Sequence, residues 1–115
     1  MKEKTRCNKT MTESAYWSWI SRLLRRGSFL WAPYKTVRER SRRPYTGPNK
    51  KYKWEYQCNS CKRWFTGSEI EIDHIVPCGT FDKQHAGEFI EKLFCEEEHL
   101  QVLCKTCHKN KTIGE

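Results

Sequence analysis

Two short cysteine pairs, Cys58-Asn59-Ser60-Cys61 and Cys104-Lys105-Thr106-Cys107, constrain this chain more than any other feature. Two residues between paired cysteines allow both sulfurs of a pair to reach one ion, and two such pairs make a closed tetrahedral four-thiolate site for structural Zn²⁺. The chain must therefore fold back so that residues near 58 and near 104 meet. It also has reason to need a metal. Of its 115 residues, 31% are charged, and the mean hydropathy is −0.92, so apolar burial alone leaves the C-terminal part short of stability.

Cysteine usage and the start of the chain set expectations about compartment. The count of seven is odd, and Cys7, Cys78 and Cys95 lack partners at metal spacing. Cys78 and Cys95 read as core or half-buried thiols, and Cys7 as an exposed one. The basic start, with Lys2, Lys4, Arg6 and Lys9, leads into no apolar stretch, and no run of 18 apolar residues occurs. Neither a secretory signal nor a membrane span is expected, and the chain reads as a reducing, cytoplasmic protein whose cysteines bind metal instead of forming disulfides. Cys104-Lys105-Thr106-Cys107-His108 is also the string of a c-type haem attachment site, but that chemistry requires export.

Charge is unevenly spread. Residues 1–50 hold 13 Lys and Arg against 3 acids, whereas residues 51–115 hold 9 against 11. The first half is a plausible footprint for a polyanion such as DNA or RNA, and the second a place for metal and chemistry.

Patterning predicts an α+β chain of two parts, a basic helical segment and linker over 1–53 and a metal domain over 54–115. Thr10-Met11-Thr12-Glu13 has the form of a capping box, which predicts a helix from about 11 to Arg26, with Gly27 as its stop. Tyr16, Trp17, Trp19, Ile20, Leu23 and Leu24 recur at helical steps and make a face for packing, for nucleic acid or for a second copy in a homodimer. Pro33 suits the first turn of a second helix through Arg40. The run containing Arg38, Arg40, Arg42 and Arg43 is suited to bidentate phosphate contacts, and 44–53 reads as a basic linker. Residues 54–72 alternate as a hairpin carrying the first cysteine pair, with Ile70 and Ile72 on one face of a strand that ends in Asp73-His74. A helix is expected over 87–95, then a returning strand Leu100–Leu103 and a last helix from Cys104 to Lys111.

The remaining chemistry lies in Asp73-His74-Ile75-Val76-Pro77 and in His99-Leu100-Gln101-Val102-Leu103-Cys104-Lys105-Thr106-Cys107-His108-Lys109-Asn110-Lys111-Thr112. Together these strings resemble the HNH endonuclease family, whose fold is the ββα-metal (His-Me finger) domain, over roughly residues 54–112. The resemblance implies a divalent-metal-dependent DNA endonuclease, nicking or cutting both strands to leave 3′-hydroxyl and 5′-phosphate ends. It implies that His74 is the general base for the attacking water, a task suited to an imidazole. Asp73 and His108 would hold a divalent ion, Mg²⁺ or Mn²⁺ by the oxygen donor, with Ni²⁺, Co²⁺ or Zn²⁺ admitted by the nitrogen. His99 stands where the family has an asparagine that orients the loop of the base, and can brace that loop or reach the metal. Lys109 and Lys111 flank the last ligand at a helix start, where phosphate is expected. Stand-alone members of this kind are similar to proteins that bacteriophages encode for homing or as helpers of genome packaging, which would place the chain in the host cytoplasm among packaging proteins. The alternative is a zinc-containing DNA-binding or adaptor protein with a degenerate centre.

Overall fold

The computed structural model describes residues 2–114. Along the chain lie β1 (Lys4–Arg6), β2 (Met11–Thr12), α1 (Glu13–Ser28), α2 (Ala32–Arg40), β3 (Arg42–Pro44), β4 (Trp54–Gln57), β5 (Trp64–Phe65), β6 (Ile70–His74), α3 (Ala86–Leu93), β7 (Leu100–Cys104) and α4 (Lys105–Gly114), with 3-10 turns at Gly67–Glu69, Lys83–His85 and Glu97–His99. The mixed α and β content is as expected. The chain divides into two compact units, 1–31 with 78–94, and 32–77 with 95–115. That division differs from the boundary expected at 53, because β3 pairs with β4 and α2 packs on β6 and β7, so residues 32–53 group with the cysteine pairs.

In the first unit, α1 starts one cap later than the sequence suggests. Thr12, in extended backbone, accepts the amide of Ala15 at 3.1 Å, satisfying one of the free N–H groups of the first turn. The expected Thr10–Glu13 box does not form. Thr10 closes a tight turn by donating its hydroxyl to the Cys7 carbonyl at 2.6 Å, and Cys7, Asn8 and Lys9 all have left-handed backbone. Glu13 is used elsewhere: Arg6 donates to it through Nε at 2.8 Å and Nη2 at 3.0 Å, and Trp17 through Nε1 at 2.9 Å. Nor does Gly27 stop the helix, which runs on to Ser28, where the buried hydroxyl donates to the Arg25 carbonyl at 2.6 Å. A glycine ends a helix where left-handed backbone is required, and here it does not adopt it.

The aromatic face of α1 is partly a packing face. Trp17 stacks on Phe81 at 6.0 Å between centroids, Phe81 meets Phe89 edge-on at 5.3 Å, and Phe89 and Leu93 of α3 are buried. Arg25 lies 5.2 Å over the Phe89 ring and donates to the Gly79 carbonyl at 3.0 Å. Trp19 and Leu23, one turn apart on the other side, are 46% and 45% exposed.

In the second unit, Pro33 sits in the first turn of α2 as expected, and Tyr34 after it is buried. Strands β3, β4 and β5 form an antiparallel sheet, the β4–β5 hairpin carrying the first cysteine pair. β6 and β7 pair antiparallel in continuous register, Ile70 with Cys104 through His74 with Leu100, and α4 follows β7 directly. Tyr56, Ile70 and Val102 make one core cluster, with Val37, Trp54, Phe65 and Ile72 against it; Cys58, Leu103 and Cys104 make the other, with Phe65 and Cys107.

The hydrogen bond from Arg6, reinforced by Trp17, holds the Glu13 carboxyl at about 2 against an ordinary 4.5. A carboxylate with a depressed folded value contributes stability above its unfolded value, and that contribution is lost as pH falls from there through the folded value. Carboxyl NMR titration is therefore expected to give a Glu13 midpoint near 2, and Arg6→Ala to move it towards 4.5. An unshifted wild-type midpoint would show that the Arg6–Glu13 pair does not form in solution.

Candidate functional site

The four paired cysteines meet as their spacing requires. Their sulfurs all lie within 4.8 Å of one another, and among the described residues this is the one group of three or more His, Cys, Asp or Glu ligand atoms so gathered. Tetrahedral Zn–S bonds of about 2.3 Å place sulfurs roughly 3.8 Å apart, so the donor set can hold a metal such as zinc with small adjustment. The sequence makes the knuckle locally. Lys62 takes left-handed backbone at φ 62°, which turns the chain so that the Lys62 amide donates to the Cys58 carbonyl and the Cys58 amide to the Arg63 carbonyl, both at 3.0 Å. Burial disfavours the Cys58 thiolate, but N–H groups of Cys104, Cys61 and Ser60 outweigh it and lower the pKa. At Cys107 the reverse holds: its contact with the Cys104 sulfur, with burial, pushes the thiol up. Sulfurs gathered this closely are a donor set that a cation could bridge, with the thiols losing their protons on binding.

A second cluster stands at the other end of the β6–β7 pair. Strand alternation places Glu71 and Asp73 on one face of β6, and α4 brings His108 and Lys111, one turn apart, over them. Asp73 is 6% exposed. Its Oδ1 lies 3.2 Å from His108 Nε2, and its Oδ2 accepts from Gln101 Nε2 at 2.8 Å and Lys111 Nζ at 2.7 Å. The same ammonium donates to the carbonyls of His74 at 2.7 Å and Ile75 at 3.1 Å, tying down the backbone that leaves the strand. Such a buried carboxylate survives only with this much compensation. The other nitrogen of His108, Nδ1, lies 3.2 Å from Glu71 Oε1, which fixes the ring with Nε2 towards Asp73.

His74 meets α2. Its Nε2 is 3.1 Å from the Tyr34 hydroxyl, and the two rings meet edge-on at 5.6 Å. His99 takes a different position from that expected. Its imidazole is 62% exposed with Nε2 at 3.5 Å from Glu98 Oε1, and what braces the segment after His74 is the His99 carbonyl, which accepts the Ile75 amide at 3.0 Å.

The arginines expected to face phosphate are engaged inside the second unit. Arg38 lies 4.6 Å over Tyr56, Arg42 4.1 Å over Trp54 and Arg43 3.8 Å over Trp64. Arg43 also donates to Glu55 at 2.6 Å, which with burial opposing lowers the Glu55 pKa, and Arg40 pairs with Glu97. Consecutive residues of a strand face opposite ways, so Arg42 and Arg43 of β3 do not form one continuous basic stripe. Lys109 is exposed, while Lys111 is committed to Asp73.

Sequence reasoning missed Glu71, Tyr34, Gln101 and the inward position of Lys111. The alternation Glu69-Ile70-Glu71-Ile72-Asp73 carries the signal for Glu71, since it puts that carboxylate two residues from Asp73 on the same face. Gln101 needs the strand register, and Tyr34 needs the packing of α2, which no local pattern encodes.

Cys58→Ser is expected to lower the melting temperature of the zinc-loaded protein by roughly 10 °C or more, given about 4–8 °C per kcal/mol in a domain of this size. An unchanged melting curve, with unchanged zinc content, would remove the metal from the account of stability.

Compared with known proteins, the chain matches no family model, no curated protein and no solved structure.

Proposed function

We propose that the chain is an HNH-type endonuclease of the ββα-metal class that hydrolyses DNA phosphodiester bonds. The observation that carries this reading is the convergence of Asp73 Oδ1 and His108 Nε2 at 3.2 Å, on the strand end that also presents His74. One oxygen and one nitrogen donor suit a divalent ion such as Mg²⁺ or Mn²⁺, with Ni²⁺, Co²⁺ or Zn²⁺ admitted by the imidazole, and leave its other positions to water and substrate. The order strand, strand, helix in β6, β7 and α4, with four thiols behind it, supports the same class. A bound ion there would supply Lewis-acid stabilisation of the scissile phosphate and of the departing oxygen.

The chain's own residues would divide the remaining work. His74 takes the proton of the attacking water. Tyr34, whose hydroxyl meets His74 Nε2, holds the orientation of that imidazole. Lys111 and the His99 carbonyl fix the backbone of residues 74 and 75, so the base keeps its place relative to Asp73. Glu71 orients His108. Basic residues of 1–50 would draw in the DNA, and the half-exposed Trp19 and Leu23 support contact with a second copy, which would allow both strands to be cut.

Incubation with supercoiled plasmid and Mg²⁺, Mn²⁺ or Ni²⁺ is expected to give nicked or linear DNA, with EDTA abolishing the reaction. His74→Ala is expected to lower the rate by roughly 10²- to 10⁴-fold, as loss of a general base does, with DNA binding and zinc content retained. Absence of cleavage with every metal, alongside retained binding in a gel shift, would instead identify a zinc-containing DNA-binding module. Tyr34→Phe is expected to cost roughly 5- to 10-fold in kcat, the equivalent of one hydrogen bond of about 1 kcal/mol; an unchanged kcat would remove Tyr34 from the positioning of His74.

A further inference from the structure

The first cysteine pair encloses a residue that none of the foregoing chemistry uses. Asn59, between Cys58 and Cys61, is anchored to β7 by its backbone amide, which donates to the Val102 carbonyl at 2.8 Å. Its side chain joins a directional chain of hydrogen bonds. Lys62 Nζ donates to Asn59 Oδ1 at 3.1 Å, Asn59 Nδ2 to Gln101 Oε1 at 2.7 Å, and Gln101 Nε2 to Asp73 Oδ2 at 2.8 Å. The ends fix its sense. An ammonium only donates and a carboxylate only accepts, so each amide between them has one orientation that satisfies both neighbours.

We infer that Asn59 and Gln101 are positioning residues, a polarised relay by which the cysteine knuckle sets the rotation of the Asp73 carboxylate. Oδ2 is held by Gln101 and Lys111, and Oδ1 is thereby turned to His108 Nε2. The cross-strand pairing of Asp73 with Gln101 gives the relay its short last step, and the backbone of Asn59, locked between two metal-binding sulfurs, gives it a fixed origin. The four-thiolate site is thus connected to the candidate catalytic carboxylate by side chains as well as by the fold. This deepens the nuclease reading and rests on it for the metal that Asp73 would hold.

The relay makes an unusual ordering of variants. Asn59→Ala removes a link but leaves Gln101 free to keep its Nε2 on Asp73. Asn59→Asp places an acceptor against Gln101 Oε1, so the amide must turn around or face repulsion, and either outcome disturbs Asp73. A role in packing alone would rank the alanine variant as the more damaging.

The test uses zinc-loaded full-length protein. Side-chain amide ¹H–¹⁵N spectra, which need neither divalent ion nor DNA, are expected to show the Gln101 signals displaced and exchanging faster in Asn59→Asp, and little changed in Asn59→Ala. Mn²⁺ affinity read by electron paramagnetic resonance is expected to fall about 10-fold or more in Asn59→Asp and less in Asn59→Ala, within the 10- to 100-fold range of groups that support a metal ligand. Zinc content and melting temperature are expected to stay at wild-type values. Gln101→Glu, which sets two carboxylates against each other, provides a second variant and is expected to weaken Mn²⁺ binding likewise. Unaltered Gln101 signals in Asn59→Asp, or Mn²⁺ bound by the wild type and by all three variants with equal affinity, would overturn the relay. Failure of wild type to bind Mn²⁺ or cut plasmid, with the Gln101 signals responding as expected, would count against the nuclease reading and leave the relay's geometry in place.

Discussion

Antiparallel pairing of Ile70–His74 with Leu100–Cys104 is the constraint on which the second unit depends. Its register decides at once which residues meet at each end. At one end Cys104 enters the sulfur cluster; at the other Asp73 faces Gln101 and His74 faces Leu100. Because α4 continues directly from β7, the same register sets His108 and Lys111 over Glu71 and Asp73. A slip of one residue would exchange the faces of β6, carry Ile70 and Ile72 out of the core and point Asp73 away from α4. The apolar residues therefore enforce which polar ones meet, and the side-chain hydrogen bonds then set how they are turned.

The two clusters answer different physical demands. Four cysteine sulfurs gathered within 4.8 Å could hold a metal such as zinc, and such an ion would supply stability that this end otherwise lacks. Asp73 is already offset, by an ammonium, an amide and an imidazole, and keeps one oxygen turned to a ring nitrogen. A carboxylate so compensated holds its geometry without any ion; in the proposed reading, two protein donors would leave the other positions of an ion to water and substrate. Closed and open coordination are what distinguish structural from catalytic metal sites, and this unit contains one candidate of each kind.

Much of this was legible in the sequence because it is encoded locally. The cysteine spacing, the alternation through Ile70 and Ile72, the proline at the start of α2 and the order strand, strand, helix all follow from neighbours within a few residues. What could not be read depends on distant partners. Glu13 abandons its capping box because Arg6 and Trp17 offer three hydrogen bonds. Gly27 stays helical because nothing there requires left-handed backbone. Arg38, Arg42 and Arg43 lie over Tyr56, Trp54 and Trp64, because guanidinium groups stack on the aromatic faces that β4 and β5 bring beside them, a placement that the basic run itself does not announce. Tyr34 reaches His74 from a helix 40 residues earlier, and no periodicity announces such a contact.

The most direct measurement of the central claim, that Asp73 and His108 form a divalent-ion site separate from the cysteine cluster, is anomalous X-ray scattering from crystals of zinc-loaded protein soaked in Mn²⁺. The expected result is a zinc peak among Cys58, Cys61, Cys104 and Cys107 and a distinct manganese peak in contact with Asp73 Oδ1 and His108 Nε2. Zinc among the sulfurs with no manganese at Asp73, or manganese bound only where neither residue touches it, would contradict the claim.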